Sequence, residues 1–361
     1  MVTPAFWQGK RVLLTGHTGF KGSWLSLWLR AMGANVIGYA LAPAGDSSLY
    51  ALAGVERGVT SIEGDVRDLE HLARVVAEHR PEIVIHMAAQ ALVRASYRDP
   101  VETYATNVLG TVHLLEAVRR SGGTRVVLNV TSDKCYENRE TTRPYREDDP
   151  MGGADPYSSS KGAAELVTSA YRRSFFPVER WSEHGVAVVS ARAGNVIGGG
   201  DFAADRLVVD VVHAFMRGNT PVLRNPTAVR PWQFVLEPLS GYLRLAELAH
   251  AAPERMSGGW NFGPDEHDCR PVAWVVDRIA HGWGIFEGWR LDEQPNVPEA
   301  QLLLLDAGKA REELGWRTVL DLEQALDWTV AWYRAYHHGE DVGALTRAQI
   351  ERYAGLAAHL A

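Results

Sequence analysis

The stretch Arg11-Val12-Leu13-Leu14-Thr15-Gly16-His17-Thr18-Gly19-Phe20-Lys21-Gly22 decides the fold. Its first five residues form a short apolar run of the kind that is buried on both faces of a sheet. Glycines then recur at every third position, and helical periodicity sets in over 21–32. A strand that passes through such a loop into a helix is the start of a dinucleotide site. The glycines allow a tight turn, close approach of backbone to a pyrophosphate, and close packing of helix on strand. The helix N-terminus offers N–H groups and the positive end of its dipole to the phosphates.

Working outward, apolar runs alternate with helical patterns. Strand patterns cover 35–39, 59–63, 83–86, 125–130 and 186–192, and helical ones cover 69–79, 101–121 and 156–174. Short β-branched runs separated by helices imply parallel strands joined by right-handed crossovers. The expected class is α/β, a Rossmann-type doubly wound parallel sheet with a smaller C-terminal substrate-binding domain. Regularity fades after about residue 195, where Gly, Pro and Trp crowd GGGDF, RNPTAVRPWQF and GGWNFGPDEHDCRP. The expected division is a dinucleotide-binding domain over 1–194 and a mainly substrate-binding part over 195–361, with 235–262 returning to the first. The segment 322–336 reads as an amphipathic helix whose aromatics pack in the core.

Composition excludes several classes. A net charge of −7 does not suit a nucleic-acid binder, and an anionic substrate would need a local positive pocket. Cys135 and Cys269 make neither a disulfide framework nor a CxxC metal site, so no metal is expected and a reducing cytoplasm fits. The N-terminus runs straight into a strand pattern without a signal-peptide profile, and no apolar run reaches the ~18 residues of a membrane span. Neither nucleic acid nor membrane is an expected partner.

The chemistry is carried by two further stretches. Tyr157-Ser158-Ser159-Ser160-Lys161 places a phenol and an ammonium at i and i+4, on one helix face. An ammonium beside a phenol favours the phenolate and draws its pKa from about 10 toward neutral, which makes a base for a sugar hydroxyl. Upstream, the strand 125–130 ends in Thr131-Ser132-Asp133-Lys134, and strand ends are where ligands bind in such sheets.

The GxxGxxG spacing, the YxxxK pair and Ser132 together resemble the extended short-chain dehydrogenase/reductase family. The resemblance implies that Ser132, Tyr157 and Lys161 form its catalytic triad. It implies that NAD is held by Gly16, Thr18, Gly19, Phe20 and Gly22, by Asp65 and Val66, by Ala88, Ala89, Gln90 and Asn107, and by Tyr157 and Lys161. The strand end Tyr39-Ala40-Leu41-Ala42 departs from the family pattern. It has no acid for the adenosine ribose and no arginine for a 2′-phosphate, so NAD is favoured over NADP.

Asp133-Lys134, with GHTGFKGSWL, YSSSKG, RAGNVIGGGD and RPWQFVLEPL, is similar to the CDP-glucose 4,6-dehydratases within that family. This implies a hydro-lyase acting on a nucleotide sugar, CDP-glucose, in deoxysugar and lipopolysaccharide O-antigen biosynthesis. Asp133 would be the acid and Lys134 the base of an elimination, the pair titrating together. Asn195, Arg206 and Arg230 would grip the sugar diphosphate. The PEA at 298–300 matches only part of a family stretch in which His precedes Glu. A homodimer through the helices 101–121 and 156–174 is implied as well. The competing readings are another nucleotide-sugar 4,6-dehydratase, a nucleotide-sugar 4-epimerase, which does not need Asp133 and Lys134, and an inactive NAD-binding sensor.

Overall fold

Val12, Leu13 and Leu14 are fully buried, which puts β1 (Arg11–Thr15) in the middle of a sheet. Its companions are β2 (Asn35–Ala40), β3 (Thr60–Glu63), β4 (Ile83–His86), β5 (Val126–Val130), β6 (Ala187–Ala193) and β7 (Gly258–Phe262). Their order is β7-β6-β5-β4-β1-β2-β3, and every neighbouring pair is parallel. The structure is a computed structural model that describes residues 1–286, 288–292 and 300–360.

Because side chains alternate across a strand, both faces of this sheet must be covered. Val12 and Leu14 enter one core, which includes Leu25 and Leu29 of α1 (Phe20–Ala31). Leu13 points into the other, with Leu72 and Val76 of α2 (Leu69–His79) and Leu114 and Val118 of α3 (Gly110–Ser121). Other long helices are α4 (Pro156–Ser174), α5 (Leu236–Ala251), α6 (Leu322–His337) and α7 (Val342–His359). β7 pairs with β6 along its whole length, so the chain comes back to the sheet after leaving it. Between these returns lie short two-stranded pieces, such as Val229–Pro231 with Cys269–Pro271, and the helix Leu207–Met216.

The expected bounds at 11–15, 69–79, 83–86 and 156–174 coincide with the observed elements. The helix expected over 101–121 is built differently. A short helix, Pro100–Tyr104, passes through one π turn, Ala105–Leu109, before α3 begins. A single wide turn barely disturbs the apolar spacing, so periodicity cannot report it, yet π turns collect at functional sites.

One buried carboxylate helps to fasten the C-terminal helices to the sheet layer. Glu237 on α5 accepts from the backbone N–H groups of Val319 (3.0 Å) and Leu320 (2.9 Å) and from the Tyr353 hydroxyl of α7 (2.7 Å). Burial lifts its pKa to about 7 in spite of these donors. The folded state therefore holds a proton that the unfolded chain releases at lower pH, and this contribution is lost as pH rises through about 7. The stability gap between the natural protein and Glu237→Gln should widen by about 1 kcal/mol from about pH 8 to pH 6, read from denaturant unfolding at each pH.

Candidate active site

The strand order reverses between β1 and β4, and the crevice outside the strand ends at that point is where open α/β sheets bind ligands. Here a cleft of 720 Å³ follows the ends of β4, β5 and β6 and the start of α1. At the end of β1, Thr15 binds the adjoining strand end. Its hydroxyl accepts from Met87 N and Ala88 N, both at 3.1 Å, and bonds His86 Nδ1 at 2.7 Å.

The glycine loop is as tightly packed as its spacing suggested. Gly16 has φ +76°, and a Cβ there would lie 2.8 Å from Ala88 N. A Cβ on Gly22 would overlap the Gly16 carbonyl and sit 2.8 Å from His17 Cα. Thr18 donates to Leu41 O at 3.0 Å, and the N-cap of α1 is Gly19, which has no side chain to cap the helix. Asn107, in the π turn, accepts from Gln90 N (2.9 Å) and donates to Gln90 O (3.0 Å) and Ser160 Oγ (2.8 Å). One amide thus ties the loop after Ala88 and Ala89 to α4. Asp65 and Val66 stand apart from this group, beyond β3. The Asp65 carboxylate is paired with Arg67, which holds it below the usual carboxylate range, and Val66 is buried beside Gly110.

The catalytic candidates come together where β5 ends and α4 begins. Asp155 caps α4 by accepting from Ser158 N at 2.9 Å, and Pro156 occupies the first turn, where its missing N–H costs nothing. That start places Tyr157 and Lys161 on the face that lines the cleft with Ser132, Asp133 and Lys134. Ser132 donates to Asp133 Oδ1 at 2.9 Å and accepts from Lys134 N at 3.2 Å.

Burial dominates the electrostatics. It pushes the Asp133 carboxyl above its ordinary range, against the Lys134 charge, the Ser132 hydrogen bond and Arg230. A neutral carboxyl is the form an acid needs, and desolvation moves Asp133 toward it against the neighbouring lysine. Asp133 Oδ2 is buried without a partner among the described residues. Lys134 is only half-buried. The drop toward neutral expected for Tyr157 is not met. Burial lifts the phenol to about 12, opposed by a hydrogen bond with Ser132, while the Lys161 ammonium turns to Val130 O at 3.5 Å. Burial also brings Lys161 down to about 8.

Asn195, Arg206 and Arg230 all line the same cleft. Arg206 donates to Asp201 Oδ2 at 2.5 Å, and Arg230 is buried with its guanidinium on the carbonyls of Val229 (2.9 Å), Gln301 (3.2 Å) and Ala300. Pro298 and Glu299 of the PEA stretch lie outside the described residues. Three more cations on this wall, Lys21, Arg94 and Arg224, were not singled out in the sequence. Lys21 carried a signal, a charge inside the glycine loop. Burial, with Lys161 and Arg206 next, takes it down to about 7. The two arginines carried none, since an isolated arginine in a sequence looks like any solvated one.

A family model described as GDP-mannose 4,6 dehydratase matches residues 13–256, which hold the glycine loop, the Ser132 turn and the Tyr157 helix. The chain belongs to that family. Within the wider set of sugar-nucleotide enzymes, the CDP-glucose 4,6-dehydratase of Salmonella typhimurium is 51% identical over 353 residues, covering 98% of each chain. The dTDP-glucose 4,6-dehydratase of Xanthomonas campestris pv. campestris is 28% identical, covering 89% of this chain and 92% of its own. The crystal structure of Thermus thermophilus UDP-glucose 4-epimerase in complex with NAD superposes with a TM-score of 0.75 at 28% identity, covering 90% of this chain and 99% of that one.

In this member of the GDP-mannose 4,6 dehydratase family, the loop has no room for a methyl group at Gly22. Gly22→Ala should lose about 1–3 kcal/mol in urea unfolding. Gly355→Ala, on the exposed face of α7 with nothing within 4 Å, should be neutral or gain up to about 1 kcal/mol.

Proposed function

We propose that the protein is an NAD-dependent hydro-lyase that converts CDP-D-glucose into CDP-4-keto-6-deoxy-D-glucose and water. The observation that carries the reading is Asp133, a buried carboxyl of raised pKa with one oxygen unpartnered among the described residues, set between Ser132 and Lys134 beside Tyr157. An epimerase has no use for it, whereas an elimination needs an acid there. The 51% identity of the Salmonella CDP-glucose 4,6-dehydratase supports the choice of nucleotide.

The crowded glycines suit a dinucleotide, whose pyrophosphate would lie on backbone that no Cβ keeps away. Gly16 through Gly22, Ala88, Ala89, Gln90 and Asn107 would hold it, with Asp65 and Val66 toward its adenosine end. When bound, NAD would supply the acceptor for the hydride from C4 of the sugar and the donor for C6.

The chain's own residues move the protons. Ser132 holds the C4 hydroxyl, and Tyr157 takes its proton. Burial resists the ionisation of Tyr157, and Lys161, one turn on along the same helix, is the cation that would offset it. Once C4 is a ketone, the C5 proton is acidic. Lys134 removes it while Asp133 protonates the leaving C6 hydroxyl, which departs as water. Lys134 then returns its proton to C5, and the proton taken up by Tyr157 makes good the one that Asp133 gave. Asn195, Arg206 and Arg230 hold the diphosphate within an otherwise acidic protein.

Incubation with NAD and a panel of glucose nucleotides should dehydrate the CDP sugar in preference to the others. Deuterium placed at C4 should appear at C6 of the product. Lys134→Met should stop the reaction after C4 oxidation, so that reduced nicotinamide absorbance builds up with no 6-deoxy product. Deuterium back at C4, or a sugar inverted there, would favour an epimerase. A fully active Lys134→Met protein would remove the lysine from its role.

The working unit is a homodimer, and the cytoplasm is its place, which suits two unpaired cysteines. Tyr97, Val101, Tyr104, Leu109, Leu166 and Phe175 leave apolar surface exposed on α4 and on the helical segments before α3, and a second copy would cover it. Leu166→Glu should convert a dimer mass to a monomer mass in light scattering.

A further inference from the structure

One turn beyond Lys161 on α4 stands Glu165, buried to 5% exposure. Its carboxylate accepts four hydrogen bonds, from Thr131 Oγ1 (2.6 Å), Ser190 Oγ (2.7 Å), Arg192 Nε (2.9 Å) and Arg192 Nη2 (2.9 Å). Arg192, on β6, is equally buried and passes the connection on. Its Nη1 donates to the Tyr136 hydroxyl (2.7 Å) and to Glu147 O (3.0 Å), and its guanidinium lies over the Tyr136 ring. The Tyr136 hydroxyl in turn donates to Asn261 Oδ1 on β7 (2.6 Å).

Thr131 and Tyr136 are the residues that bracket the turn bearing Ser132, Asp133 and Lys134. We propose that Glu165 is a positioning residue, which with Arg192 clamps both ends of that turn to the helix carrying Tyr157 and Lys161. The inference rests on the reading of those five groups as the reacting ones.

The energetics point the same way. A buried ion pair costs several kcal/mol of desolvation per ion and is often no more stabilising than apolar residues of the same volume. What a fully satisfied buried network provides is one fixed geometry. Here two elements distant in sequence, β5 with its turn and α4, must meet so that an acid–base pair and a phenol address neighbouring carbons of one sugar. A displacement of about 1 Å in such a site costs on the order of 100-fold in rate. Burial acts against the Glu165 charge, but Arg192 and the hydroxyl donors overcome it and hold the group below its usual range. Cys135 and that retained charge oppose the lowering of Lys161, and the Lys161 charge acts in turn on Lys21 and His86, with the Tyr157 phenol one turn away on the same helix. Arg172 and Cys135 are the further titratable groups near Glu165.

Thr131→Val tests the clamp by removing one arm while keeping the shape. With NAD and CDP-glucose, kcat should fall roughly tenfold, about what one charge-assisted hydrogen bond felt in the transition state is worth, and KM should change by less than about twofold. Thr131→Ser, which keeps the hydroxyl, should restore most of kcat. Glu165→Gln should be worse, by roughly 100-fold. If that variant fails to fold, the two Thr131 proteins still decide the matter. A Thr131→Val protein with unchanged kcat overturns the proposal. So does one whose kcat loss is not rescued by serine and follows its loss of thermal stability, since that is the behaviour of a merely structural contact. Tyr157→Phe, run beside them, separates the two levels. Near-normal turnover there would sink the catalytic reading itself, whereas a dead Tyr157→Phe with a normal Thr131→Val would sink only the clamp.

Discussion

Parallel pairing is the constraint on which the rest depends. β1 pairs in register with β2 on one side and β4 on the other, Thr15 meeting Tyr39 and His86. Parallel strands cannot be joined by tight turns, so each must be followed by a crossover, and every C-terminal end emerges on the same edge. The glycine loop after β1, the Met87–Gln90 segment after β4, the Ser132 turn after β5 and Asn195 after β6 are neighbours for that reason. Nothing in their own local chemistry would bring them together. The tight join of Gly16 on Ala88 then sets how closely a backbone cradle can approach a ligand.

Desolvation is the second organising effect, and it outweighs nearby charge more than once. Asp133 lies next to a lysine and still has its pKa raised, while Lys21 and Lys161 have theirs lowered. Both shifts favour neutral forms, which is how a buried site can hold proton donors and acceptors together at one pH. The same effect opposes ionisation of Tyr157, so there the site works against burial. The −7 chain solves its anionic-substrate problem locally. Lys21, Arg94, Arg206, Arg224 and Arg230 line one cleft, and ion pairs such as Arg206 with Asp201 set where their charge points.

Much of this was legible in the sequence because local rules carried it. The apolar run at β1, the glycine spacing, the helical pattern over 156–174 and the i, i+4 placement of Tyr157 and Lys161 each depend on residues within one element or its flanks. The family resemblance added Asp133, Lys134 and the order in which the motifs occur. The sequence by itself therefore determined the sheet class, the position of the loop and which residues are the candidates for the chemistry.

The tertiary structure alone decided what those groups experience. The raised Asp133, the Asn107 amide turned onto Gln90 by a π turn, the cations drawn from distant segments, and the return of β7 to the sheet all depend on pairing and burial between residues far apart in the chain. Glu165 makes the point most sharply. In sequence it is one more acidic residue on a helix. In the fold it is the point where β5, β6 and α4 meet, because only long-range packing can remove a carboxylate from water and supply four donors in place of the lost solvent.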